Sequence, residues 1–485
     1  MRNTTDVTSA GQSSQHRALG GWLVLAVRQG VLTVLTLVGV VVLGRLLGPA
    51  DFATYGYTTI GVTAALAVGD LGMSARVIRD EPATLDLSAM LGAQLAVVGL
   101  AAVAAATALG LLAPGVDVAV AAAAVTVAVL LAALQSLPTA MLERRLDFVA
   151  VSRIEVGQRA LFVALAMALA AGGAGIASVP VAAVTAGVFG YWSALRRSGW
   201  SAPPRWAGLR SQLSGFGAAW WQGRAAAQMT YLSYPVLGGL LFTATEVGYL
   251  SLALTVTSLA TLLAPLVVRA TFPAMSAVDP ADRVAIFRAV YRPFVELSVL
   301  GLALLVVVAG PLVQIALGPA WSGAVRVIQF TCLPTLVGIA LSPSLALLYV
   351  VLAPRVVTRA VLIATALTWV AIVPISAVAG FYAPAIAGAV VAGGMTVWLD
   401  SRLRAAVGSG LIEDLAVPLA LGGLAALFGL FVGAVFPGTI GPLAGGLGTA
   451  AIYTLGMRRV GSALGPRELL AIIRPQFRHA VGDPV

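Results

Sequence analysis

The feature that limits this chain most is a succession of long apolar runs separated by short polar breaks. Each run has roughly the 20 residues that a helix needs to cross a hydrocarbon core of about 30 Å. Spans are expected at about 22–44, 52–74, 87–112, 116–142, 147–171, 174–195, 213–242, 247–270, 293–317, 323–350, 356–379, 382–401, 415–436 and 438–457, about fourteen in all. Membrane barrels show alternating segments of about 10 residues instead, and no such alternation is present. Only 10% of the residues are charged, against about 25% in soluble domains. The fold class is therefore all-α and polytopic.

All 29 basic residues are arginine, and the net charge is +10. In a soluble protein that balance would raise nucleic acid as a partner. Here the arginines fall in alternate connections: Arg76 and Arg79; Arg144, Arg145 and Arg153; Arg196, Arg197, Arg205 and Arg210; Arg269, Arg283, Arg288 and Arg292; Arg355 and Arg359; Arg402 and Arg404. The opposite set holds little beyond Arg45 and Arg326. The positive-inside rule then predicts a cell-membrane protein with both ends cytoplasmic and an even number of spans, and no role for nucleic acid. The single cysteine, Cys332, cannot form an intrachain disulfide, and His16 and His479 lie in the polar tails. No metal or cofactor chemistry is expected. Residues 1–21 are polar, and the run after them is too long for a signal core and lacks a small-residue cleavage site, so it reads as a retained first span. In "DPADRVAIFRAVYRP" (279–293), Asp279 and Pro280 predict a short interfacial helix, with Val284, Phe287 and Tyr291 towards lipid and its arginines towards headgroups.

An internal repeat organises the spans. "GRLLGPADFATYGYTTIG" (44–61) can be laid on "GLLFTATEVGYLSLALTV" (239–256), pairing Gly44 with Gly239, Asp51 with Glu246 and Ala53 with Gly248. These hinges open two blocks of the same orientation. The expected organisation is a cytoplasmic tail (1–21), a first six-helix bundle (22–196), a cytoplasmic linker (197–212), a second six-helix bundle (213–405), two additional helices (406–457) and a cytoplasmic tail (458–485).

Several blocks resemble the polysaccharide flippases of the multidrug/oligosaccharidyl-lipid/polysaccharide exporter superfamily: "GRLLGPADFATYGY" with "GDLGMSARVIR" (69–79), "LPTAMLERRLDF" (137–148), "VGYLSLA" (247–253) with "RATFPAMS" (269–276), and "LGPAWSGAVRVIQF" (317–330). They follow the family's order over roughly residues 20–360. Ser233 stands where relatives often carry an acid. The resemblance implies a V-shaped alternating-access transporter, not an enzyme. Its implied cargo is an oligosaccharide on a polyprenyl diphosphate, moved from the inner to the outer leaflet for surface polysaccharide synthesis. Its implied partners are that lipid-linked oligosaccharide, membrane lipids, and the polymerase and glycosyltransferases of the same synthesis. In that frame the hinge at 44–57 ties the first two helices at the outer surface.

Polar residues inside the spans supply the candidate substrate site. Arg28 and Arg224 each lie several residues inside a span, where an arginine costs about 2.5–3.5 kcal/mol on insertion scales. The flanking triplets, Arg28-Gln29-Gly30 and Gln222-Gly223-Arg224, use the same residue types. An arginine fork suits diphosphate oxygens; the alternative is that both snorkel to headgroups. Arg159 is deeper, with Glu155 four residues before it in the order favourable for a same-face ion pair. Gln94, Gln135, Gln158, Gln228 and Gln314 either line a cavity or bond between helices. Two other functions compete. A cation-coupled multidrug exporter wants a deep acid, whereas Asp70 and Glu296 sit near span ends. A membrane glycosyltransferase or ligase wants a large external loop, whereas the external loops are short.

Overall fold

The structure, a computed structural model, describes residues 5–69, 73–79, 86–112, 116–145, 147–200, 203–206, 216–261, 264, 283–351, 354–408, 410–436, 438 and 440–460. Every regular element among them is helical: α1 Thr5–Gly69, α2 Met73–Arg79, α3 Leu87–Leu112, α4 Val116–Arg144, α5 Phe148–Ala171, α6 Ser178–Ser198, α7 Phe216–Leu241, α8 Ala244–Thr261, α9 Arg283–Ala316, α10 Ser322–Val351, α11 Pro354–Ala379, α12 Ala383–Val407, α13 Ile412–Val435 and α14 Ile440–Val460. Among the described residues eight stretches are long and apolar enough to cross a membrane. Two of those stretches contain more than one helix. Val27–Ile60 includes the break of α1 at Gly48, and the 52 residues of Arg355–Ala406 include the turn Gly380–Tyr382 between α11 and α12. This is a multi-pass helical membrane protein.

The chain divides into two compact units, residues 1–47 with 54–228, and residues 48–53 with 229–485. In the first, α4 packs on α3 and α6, and α6 on α5. Alanine and glycine make these approaches possible: Ala182, Ala186, Gly187, Gly190 and Ala194 form the buried face of α6. Asp147 caps α5 by accepting from the Ala150 N–H at 3.0 Å, and Asp86 accepts from Ala89 at α3 in the same way. The Arg205 N–H donates to Ser88 O at 2.9 Å, and a Cβ at Gly92 would collide with the Arg205 carbonyl, so this part of the linker lies directly on α3.

In the second unit α10 packs against α8, α9 and α12, and α13 with α14 form a pair on α9. The α13–α14 crossing is close because Gly429 and Gly445 carry no Cβ; Thr449 Oγ1 donates to Ala425 O at 3.0 Å across it. The turn Gly48–Ala53 belongs to this unit. Phe52 is fully buried and meets Trp321 edge-on at 5.2 Å, while Tyr249 lies 6.0 Å from Trp321 and donates to Ala320 O at 3.0 Å. Three of the sequence blocks, 48–52, 247–249 and 318–321, thus converge. A Cβ at Gly248 would run into the Pro49 carbonyl. Gly48 (φ 69°, ψ 176°) and Gly318 (φ 92°, ψ −179°) adopt nearly the same glycine-only backbone, each followed by Pro-Ala. The second hinge of the expected repeat is built differently: Thr243 and Glu246 form a reciprocal cap, with the Thr243 N–H donating to Glu246 Oε2 at 2.8 Å and the Glu246 N–H donating to Thr243 Oγ1 at 3.4 Å.

The expected interfacial helix at 279–293 is corrected over its described part. Residues from Arg283 belong to the 34-residue α9, which continues through Pro293. Phe287 and Tyr291 are buried and stacked at 4.7 Å rather than turned to lipid, and the Tyr291 hydroxyl donates to Ala340 O at 2.9 Å. Arg288 and Arg292 turn to Asp414 of α13 rather than to headgroups, with contacts of 2.7 and 2.6 Å. A carboxylate contributed from elsewhere in the chain decides the direction of this face.

Candidate functional site

One ion pair of the first unit forms where α1 passes α5. Gly39 of α1 lets the helices approach, since a Cβ there would lie 3.2 Å from Val163. Further along the same arm, Arg28 Nη1 reaches Glu155 Oε2 at 2.7 Å, with the two side chains 15% and 32% exposed. Arg28 Nε is buried and makes no hydrogen bond among the described residues. A buried donor in that state costs about 1–3 kcal/mol. Arg159 stands one turn from Glu155 on α5, its guanidinium 5.7 Å from the Phe162 ring, which in turn packs at 6.4 Å on Tyr55.

Gln29 is half-buried on the next position of α1, and its carbonyl accepts from Thr33 Oγ1 at 2.8 Å. Gln222 and Arg224 lie on α7; their side chains are outside the described residues. Arg28 and Arg159 therefore share the α1–α5 region, with Glu155 between their sequence neighbourhoods as the ion-pair partner of Arg28. The spacing of Glu155 and Arg159 pointed to a pair within one helix. The bond made by Glu155 to Arg28 crosses helices, and no local spacing signals it.

Three of the glutamines bond between helices. Gln94 Nε2 donates to Ser136 Oγ at 2.7 Å, and Gln135 Nε2 to Gln158 Oε1 at 3.1 Å. The second pair sits where Gly190 leaves room, since a Cβ there would lie 2.5–2.6 Å from both side chains. Ser233 is likewise internal, its hydroxyl donating to Thr230 O at 2.6 Å, and neighbouring Thr230 bonds Thr365 of α11 at 2.9 Å.

This arrangement of helices is a known membrane-transporter fold. It is similar to the structure described as lipid II flippase MurJ in an inward closed conformation, with a TM-score of 0.70 at 12% identity over 90% of this chain and 98% of that one. It is also similar to an inward-facing multidrug resistance MATE family transporter of the MOP superfamily, with a TM-score of 0.57 at 15% identity over 77% and 94% of the two chains. No curated protein sequence matches. The family pattern described as "Polysaccharide biosynthesis protein" matches residues 42–326, more than half of the chain. The chain belongs to that family, as its sequence blocks anticipated; the match opens just before "GRLLGPADFATYGY" and closes within "LGPAWSGAVRVIQF".

Proposed function

We propose that this chain is a flippase that turns a polyprenyl-diphosphate-linked oligosaccharide from the inner to the outer leaflet for surface polysaccharide synthesis. In this reading about fourteen spans form two six-helix bundles, 22–196 and 213–405, followed by two further helices, 406–457, with both ends cytoplasmic. The substrate is delivered by glycosyltransferases and passed to a polymerase. The observation that carries the reading is Arg28, largely buried in an apolar helix, with an unsatisfied Nε. Its ion pair engages Nη1, and a phosphate oxygen reaching Nε would meet an unsatisfied donor. Glu155 holds the side chain in place until an anion of higher charge competes for it. Arg159 adds positive charge to the same region, and Arg224 with Gln29 and Gln222 complete the proposed substrate contacts.

The test is flipping of a fluorescent polyprenyl-diphosphate glycan in proteoliposomes. Arg28→Gln is expected to slow flipping at least tenfold, and Arg28→Lys to recover only part of it because the fork is lost. The exchange Arg28→Glu with Glu155→Arg keeps an ion pair while moving the cation to α5. Full activity in that double variant would reduce the pair to a structural strut and refute the reading.

A second reading, cation-coupled drug export, is favoured by Glu296, an acid only 4% exposed on α9. It requires sodium- or proton-driven efflux that Glu296→Gln abolishes; glycan flipping that survives Glu296→Gln supports the first reading.

A further inference from the structure

Helices α6 and α12 end in the same construction. On α6, Trp192 is 50% exposed, and the Arg196 guanidinium lies 3.6 Å from its ring centre. On α12, Trp398 is 36% exposed, and the Arg402 guanidinium lies 5.2 Å from its ring centre. Both pairs are Trp-x-x-x-Arg, one helical turn apart. Both helices then stop at a left-handed glycine, Gly199 (φ 67°) and Gly408 (φ 77°). The faces carrying the pairs are turned away from the packing: α6 buries its alanine and glycine side on α4 and α5, and leaves Val188, Phe189 and Trp192 exposed. On α12 the exposed large hydrophobic residues are Val390, Val397 and Trp398.

Neither Arg196 nor Arg402 forms an ion pair among the described residues. The nearby Asp400 is turned inward, accepting from the Leu411 and Ile412 N–H groups and from Arg404. Stacking occupies the flat face of a guanidinium and leaves its N–H edges free to donate. The result is an apolar strip leading along the helix to an indole, then to a cation with available donors. An acyl chain fits the strip and a phosphodiester fits the cation; a free soluble anion would use only the second.

We propose that Trp192–Arg196 and Trp398–Arg402 are two equivalent binding sites for anionic phospholipid, with the phosphate on the arginine edge and the acyl chain along the α6 or α12 face. Indoles at this level match the aromatic belt of membrane proteins, and an interfacial arginine favours anionic over neutral lipid. The sites need the helices to cross a bilayer and do not depend on what the protein transports.

The test uses the full chain in vesicles with brominated acyl chains, on either phosphatidylglycerol or phosphatidylcholine at equal mole fraction. The Trp192 signal is the difference between wild type and Trp192→Phe, and the Trp398 signal is obtained likewise. Quenching is expected to report association about fivefold stronger for the phosphatidylglycerol at both indoles, the factor expected from one interfacial arginine. Arg196→Gln should abolish the preference at Trp192 while leaving it at Trp398, and the retained preference shows that the variant is still folded; Arg402→Gln should do the reverse. Equal association of both lipids, or a preference that survives these substitutions, overturns the assignment. So does loss of the preference on adding excess inorganic phosphate, which would identify a soluble-anion site instead.

Discussion

Replacing Asp414 by Asn tests how the final helix pair is held. The Asp414 side chain is fully buried and meets Arg288 at 2.7 Å and Arg292 at 2.6 Å, with those arginines 22% and 53% exposed. Arg288 also donates to Gly410 O at 2.7 Å. Removing one member of a fully buried pair costs about 3–5 kcal/mol. Arg292 is half in water, so its share falls to the 1 kcal/mol or less of a surface pair. Asn keeps one acceptor oxygen, which leaves about 2–3 kcal/mol for Asp414→Asn. The assay is reversible unfolding in mixed detergent micelles, run as two double-variant cycles. Coupling of Asp414 to Arg288 is expected at about 1.5 kcal/mol, and to Arg292 at no more than about half of that. Unchanged stability in Asp414→Asn, or equal coupling to the two arginines, would refute reasoning that weights each contact by its burial.

Gly248→Ala is expected to lower the unfolding midpoint by the equivalent of about 1–3 kcal/mol, because its methyl meets the Pro49 backbone; Gly301→Ala, with open space at its Cβ, should leave the midpoint unchanged or higher. Cysteine at the exposed Ala174 should react with an impermeant reagent from outside intact cells, and cysteine at the exposed Ala406 only after permeabilisation. Reversal of that pattern removes the proposed orientation. With matched H⁺ and Na⁺, an inside-negative potential should accelerate outward movement of the anionic cargo, since about 2.3 kcal/mol per charge is gained per 100 mV. A rate indifferent to the potential rules out electrogenic export.

The all-helical, multi-pass character was legible because hydrocarbon thickness fixes the length of a span. The turn at 44–57 was also legible, as Gly-Pro between two apolar runs. What hid was every partnership between helices. Helical periodicity states which residues share a face but not which helix lies against it, so Arg288 and Arg292 read as facing headgroups while their carboxylate waited at Asp414, 126 and 122 residues away. Glu155 was read with Arg159 for the same reason, the local spacing being the only one visible. One signal in plain sight went unused: Leu-Gly-Pro-Ala occurs at 47–50 and again at 317–320, and both glycines take the same backbone. The Thr-x-x-Glu of 243–246 was likewise readable as a helix start.

The notch at Gly190 binds three positions to a common inheritance. The amides of Gln135 and Gln158 meet only because nothing projects from position 190 between them. A side chain arriving there first would separate two polar groups in an apolar interior, while loss of either glutamine first would strand the other. Neither order of single steps is neutral, so divergence at this crossing has to proceed by coordinated replacement. In relatives of this chain, the residues equivalent to 135, 158 and 190 should change together, as small apolar side chains filling the notch in place of two amides and a hydrogen atom.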